Sequence, residues 1–199
     1  MPQPHTPGNR YGPGFNTLKK ENGRGNGLQH IGGSGTNSGS NTSFNTNTWY
    51  HVVGVNDGTD SKIYVNGTLV NTAAQSNPAA SSGDFLIGAH FSSLTGNPNR
   101  WWDGNIDEVA VWNHSLSASE VAEIYNLGQG LDVSVGSGDY TSAANLKGYW
   151  NFNTGSGSSV ADQSTNSNNG TVAGPAFSSD NNLSIFGFCL LYTSPSPRD

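Results

Sequence analysis

The 199-residue chain has 11% charged residues, 27 glycines and a net charge of −6. So acidic a chain, with Lys19-Lys20 its only adjacent basic pair, excludes a phosphate-tracking nucleic-acid binder, which needs clustered Lys and Arg. Its 5 Trp, 7 Tyr and 8 Phe among many Gly, Ser, Asn and Thr predict a turn-rich all-β protein with a packed core rather than disorder.

Residues 1–48 hold few apolar anchors, and Gly12-Pro13-Gly14 and Gly32-Gly33-Ser34-Gly35 predict loops with one or two short strands. The pattern sharpens at Trp49. Trp49 to Val55, Lys62 to Val65 and Thr68 to Val70 read as three strands of a meander. Asn66-Gly67 sits between the second and third, and Asn-Gly is the strongest short hairpin signal because a type I′ turn needs positive φ at both central residues. Asp84 to Gly88 predicts a fourth strand and Trp101 to Trp112 a long fifth one. The fifth has an imperfect period of two: Ile106 shares a face with Trp102 and Trp112, whereas Val109 and Val111 point the other way. Either both faces are buried or a bulge shifts the register.

One helix follows. Ser117 to Glu120 reads as a capping box, Leu116 can staple onto Val121, and Val121, Ile124 and Tyr125 share a face, with Gly128 as the stop. Residues 130–147 read as a linker. A new start comes at Gly148-Tyr149-Trp150 and runs through Gly155-Ser156-Gly157 to Asn169-Gly170-Thr171, too short a stretch for a core of its own. No apolar run reaches the ~18 residues of a membrane helix. Cys189, the sole cysteine, permits no intrachain disulfide. The run Cys189 to Asp199 reads, in codons, as the translation of a sequencing-library adaptor and is set aside.

Three segments in order carry a resemblance. They are Trp49-Tyr50-His51-Val52-Val53 with Tyr64-Val65-Asn66-Gly67, then Gly104 to Val109, then Leu116 to Val121 leading to Ile124-Tyr125-Asn126. Together they resemble the laminin-G-like jelly-roll family, of concanavalin A-like fold, over about residues 44–128. The stretch from Gly148 to Val172 resembles the opening of a second copy. The resemblance implies an all-β concanavalin A-like jelly-roll sandwich with one short C-terminal helix, followed by the start of that copy. The expected organisation is an N-terminally incomplete jelly roll over 1–129, a linker over 130–147, opening strands of a second repeat over 148–188 and the adaptor-derived tail over 189–199.

The function this implies is a secreted, non-catalytic binding or adhesion module at the cell surface, part of a larger parent chain. It would recognise a glycan or an extracellular protein through rim loops, without nucleic acid and without membrane insertion. Two alternatives stay open: a structural spacer repeat, or an accessory domain of a larger glycan-degrading enzyme. A retaining glycosidase would need two carboxyls ~5 Å apart. Asp107 and Glu108 are neighbours on a strand and face opposite sides unless a bulge intervenes, and their i±2 neighbours are not acidic.

Trp101, preceded by Asn99 and Arg100 on a loop, is the candidate sugar-binding group, with an aromatic ring for the apolar face of a sugar. Related jelly rolls hold calcium with loop oxygens. The resemblance places that cofactor at Asp162, Asn166 and Asn168, with Asp107 the acidic candidate of the first repeat. Where family members carry an Asp-Glu pair after the first aromatic strand, this chain has Asn153-Thr154, and Thr165 stands where they often have Gly.

Overall fold

The computed structural model describes residues 17–20, 28–31, 37–39, 45, 48–74, 85–91, 98–101, 105–126, 129–173 and 190–193, with the side chains of 45, 48–74, 85–88, 105–126 and 129–173. Three short strands, β1 (Thr17–Lys20), β2 (Leu28–Ile31) and β3 (Asn37–Gly39), form an antiparallel sheet. The breaker-dense start therefore holds one strand more than its composition suggests.

The centre of the fold is a meander of β4 (Val52–Asn56), β5 (Asp60–Val65) and β6 (Thr68–Ala74), and β3 lies close to β5 and β6. Its second turn is the expected one. Asn66 and Gly67 both adopt positive φ, 49° and 74°. The Asn66 side chain also accepts a hydrogen bond from the backbone N–H of His51, which ties the turn to the start of β4. Gly67 is needed twice over, because a Cβ there would stand 3.0 Å from the Tyr125 ring. Gly67→Ala is expected to cost about 2 kcal/mol, from left-handed strain and a displaced tyrosine; the midpoint of chemical denaturation measures it.

The next two strands differ from expectation. The fourth begins later, as β7 (Ala89–Phe91), because Gly88 turns the chain at φ 74° before it. The long fifth strand is split: β8 (Pro98–Trp101) pairs with β7, and β9 (Val109–Trp112) joins the main sheet. Glu108 at φ 52° breaks the run just ahead of β9, and this explains the uneven alternation.

Helix α1 (Ala118–Tyr125) carries the full capping box: Ser117 Oγ accepts from the Glu120 N–H, and the Glu120 carboxylate accepts from the Ser117 N–H. Its stop is Asn126 in the left-handed conformation rather than Gly128, which lies outside the described residues. Asn tolerates that conformation, and its side chain donates to the carbonyl of Gly130.

Residues 130–147 are packed, not slack. Val133 and Tyr140 are buried in the same core as Val53, Val55, Tyr64, Trp112, Val121 and Ile124. Trp112 Nε1 donates to the Tyr140 hydroxyl, which donates in turn to the Val133 carbonyl, each at 2.9 Å. Glu120 reaches across to accept from Ser142 Oγ at 2.6 Å in a short 3-10 helix (Ser142–Asn145). The strand β10 (Leu146–Trp150) then pairs antiparallel with β9. Packing thus runs across the boundaries expected at residues 129 and 148. A small ribbon, β11 (Ser159–Val160) with β12 (Gly170–Thr171), follows. Leu190–Thr193, within the segment set aside as adaptor-derived, is β13, lying parallel to both β4 and β9 and giving the order β10-β9-β13-β4-β5-β6. Among the described residues no helix is long and apolar enough to cross a membrane.

Candidate functional site

The site builds outward from β10. Alternation along the strand sends Tyr149 to the helix-covered face and Trp150 to the other. The indole of Trp150 lies over Gly148, where a Cβ would stand 2.4 Å from its ring. Val109 and Val160 pack beside it, with Ile87, Ile106, Phe152 and Val172 half-buried around them. Phe85 stacks on the indole with ring centroids 5.6 Å apart and planes inclined by 20°, yet is itself 50% exposed. At the indole's edge Nε1 donates to the carbonyl of Asn168 at 2.9 Å.

The turn that supplies this carbonyl is organised by Asp162. Its Oδ1 accepts from the backbone N–H of Tyr149 (2.9 Å) and of Ser164 (2.8 Å). Its Oδ2 accepts from Ser164 Oγ and from the Asn168 N–H, both at 2.8 Å. Burial pushes this carboxyl up, but the four donors outweigh it and hold the group below the usual aspartate range. Asn166 and Asn168 donate from their side-chain amides to the carbonyls of Leu146 and Lys147. Asn169 accepts from the Asp162 N–H. The three calcium candidates are therefore brought together, but as a clasp on the end of β10. A carboxylate offers about four lone-pair sites, and all four here face protein donors. As folded, the set does not fit a calcium ion.

Asp107 stands apart from that clasp: its Oδ1 accepts from the Glu108 N–H in a local turn, and burial raises its carboxyl. Among the described residues no group of three His, Cys, Asp or Glu could hold a metal. Glu108 is the more unusual neighbour. Burial pushes it up to about 7, against the opposing pull of a hydrogen bond from the Tyr149 hydroxyl. That hydroxyl belongs to the helix-covered core, so one oxygen of the half-buried Glu108 carboxyl is engaged by a core side chain. Asn99, Arg100 and Trp101 lie together on β8, paired with β7; their side chains are outside the described residues.

Three residues escaped the sequence reading. Phe85 read as one apolar position in a strand, and Glu108 as a strand residue facing away from its neighbour Asp107 unless a bulge intervenes. His51 read as one position of the first meander strand. It proves to be 5% exposed and tilted against Tyr125, and neither ring nitrogen has a hydrogen-bond partner. Burial alone lowers it to about 4.

Antiparallel strands in several sheets, with one capped α-helix among the described residues, make a mostly β fold. The chain belongs to the laminin-G-type family of the concanavalin A-like lectin/glucanases superfamily, whose profile matches residues 9–122. The match begins well before Trp49, so the family's span takes in most of the N-terminal stretch that carried no recognisable motif. A crystal structure of a candidate carbohydrate-binding protein from Bacteroides ovatus is similar at 23% identity and a TM-score of 0.56, over 73% of this chain and 39% of that one. The fold is common to both, and this chain spans well under half of that protein's length. An S-layer domain-containing protein of Clostridium thermocellum overlaps at 16% identity with a TM-score of 0.37, over 63% of this chain and 67% of that one. No curated protein sequence matches the chain.

Proposed function

We propose that the chain is a non-catalytic carbohydrate-binding module that acts outside the cell as part of a larger protein. The superfamily includes both lectins and glucanases, so the decision falls on the carboxylates. The observation that carries the reading is where they point. Glu108 is held by the Tyr149 hydroxyl of the core, Asp107 caps its own neighbour, and Asp162 is saturated by four donors. A glycosidase needs one carboxyl to protonate the leaving oxygen and another to act on the anomeric carbon, both beside the same bond. None of these three is presented that way. The carbohydrate-binding description of the Bacteroides ovatus protein of like fold, and the chain's few charges, agree with a neutral polysaccharide ligand. Asn99, Arg100 and Trp101, at the end of the β7-β8 ribbon, are proposed to contribute a rim contact.

The test is affinity electrophoresis of the full chain through gels containing single soluble polysaccharides, with reducing-end release assayed in parallel. Retardation by at least one neutral polysaccharide without new reducing ends is the expected result. Release of reducing sugar, or free migration through every gel, would refute it.

A further inference from the structure

We infer that Phe85, braced by Trp150, forms with the turn that receives the Trp150 indole N–H a stacking subsite for the apolar face of a neutral pyranose. The inference rests on the carbohydrate-binding reading and adds to it a place and a ligand chemistry.

The ring caps a buried indole. Half of its surface is open to water, while the indole beneath it is only 7% exposed. Leaving half of the ring exposed forgoes half of the roughly 1.5–3 kcal/mol that full burial would bring, and the open half is the surface available to a ligand. The pair also has the property a stacking platform needs, which is rigidity. Gly148 lets the indole lie flat on the strand, Val109 and Val160 pack beside it, and the Asn168 carbonyl fixes its Nε1. Phe85 is held on that base nearly parallel to it. A flat, prefixed ring loses little entropy when it receives a ligand.

The polar complement is in the turn whose Asn168 carbonyl accepts from the indole under Phe85. Asn168 and Asn169 are exposed, and each spends one end of its side-chain amide internally: Asn168 donates to Lys147, and Asn169 accepts from Asp162. What remains is an acceptor on Asn168 Oδ1 and a donor on Asn169 Nδ2, the complement of a sugar's hydroxyls. The carboxylate in this neighbourhood, Asp162, has no lone pair to spare. Stacking plus amides, without a free charge, selects an uncharged sugar over a uronate or a phosphate, and needs no metal.

The experiment uses the full chain, titrated by affinity electrophoresis and calorimetry against a soluble β-glucan, a xylan and a mannan, with polygalacturonate as the charged probe. Phe85→Ala should weaken the binding of whichever neutral polysaccharide is retained by about tenfold or more, equivalent to one lost stacking contact. Phe85→Tyr, which keeps the ring, should stay close to wild type, and the affinity should be the same in EDTA and in high salt. Far-ultraviolet circular dichroism of both variants should match wild type, since Phe85 is half-exposed and lies outside the buried clusters. If Phe85→Ala binds normally while Trp101→Ala does not, the subsite is overturned and the carbohydrate-binding reading stands. If wild type binds no polysaccharide, both fall. Should Phe85→Ala change only the sedimentation behaviour of the chain and not its polysaccharide binding, the ring is a contact between copies and the inference is wrong.

Discussion

Asp162→Ala is expected to destabilise the chain by about 3 kcal/mol, because it leaves three backbone N–H groups and one hydroxyl without their acceptor and water can restore only part of the loss. Asp162→Asn, which keeps one oxygen, should cost about 1 kcal/mol. The carboxylate joins Tyr149 on β10 to Ser164 and Asn168 in the following turn, so its loss frees both ends of the clasp at once. Asn168 in turn fixes the Trp150 indole, and weakened polysaccharide binding should accompany the loss of stability. Denaturant titrations of the three proteins give the first quantity. The same titrations with calcium and with EDTA distinguish a clasp from a metal site. A saturated carboxylate predicts superimposable curves, whereas a ligand would raise the wild-type midpoint in calcium by mass action. A calcium-dependent rise that disappears in Asp162→Asn would mean that the four internal hydrogen bonds are the ion's stand-ins.

What could be read in advance was whatever depends on neighbours in sequence. Ser117 and Glu120 are three residues apart, and their reciprocal hydrogen bonds follow from helix geometry alone. Asn66-Gly67 is similar, since the turn demands positive φ and those residues permit it. The misreadings involve partners far along the chain. Residues 130–147 looked like a linker because Gly136-Ser137-Gly138 dominates them. Yet Ser137 and Tyr140 close a tight turn through paired backbone bonds, and the Tyr140 ring then reaches Trp112 across 28 residues of sequence. The resemblance named Asp162, Asn166 and Asn168 as a calcium set, and the three do lie in one turn. The competing partners, the Tyr149 N–H that Asp162 accepts and the Leu146 and Lys147 carbonyls that take the Asn166 and Asn168 amides, come from a strand that pairing with β9 brings alongside. Phe85 illustrates the same limit. Nothing within its own run of apolar residues shows that it would stack on Trp150 and remain half-exposed.

His51 and Glu108 should make the wild-type stability nearly independent of pH from 4.5 to 6.5, by opposing one another. His51 has a folded value of about 4 against an ordinary 6.5. The unfolded chain therefore binds the extra proton between those values, and stability falls as pH drops through them, by about 3 kcal/mol in all. Glu108 stands at about 7 against an ordinary 4.5, so here the folded chain binds the extra proton. Its contribution falls as pH rises from 4.5 toward 7, by about 2 kcal/mol once its residual exposure is allowed for. In the overlap one group gains on folding what the other loses, and the net proton uptake is close to zero. Either substitution should uncover the other slope. With His51→Phe, which keeps a ring against Tyr125 and removes the two unpaired nitrogens, stability should decline as pH rises across the window. With Glu108→Gln, which keeps an acceptor for the Tyr149 hydroxyl, it should decline as pH falls. Urea titrations of the three proteins at half-unit pH steps decide the matter. If the three curves run parallel, the buried histidine and the half-buried glutamate do not titrate as their surroundings require. If they cross within the overlap, the helix-covered side of the sheet carries two opposed proton linkages, one at the contact with Tyr125 and one at the Tyr149 hydroxyl.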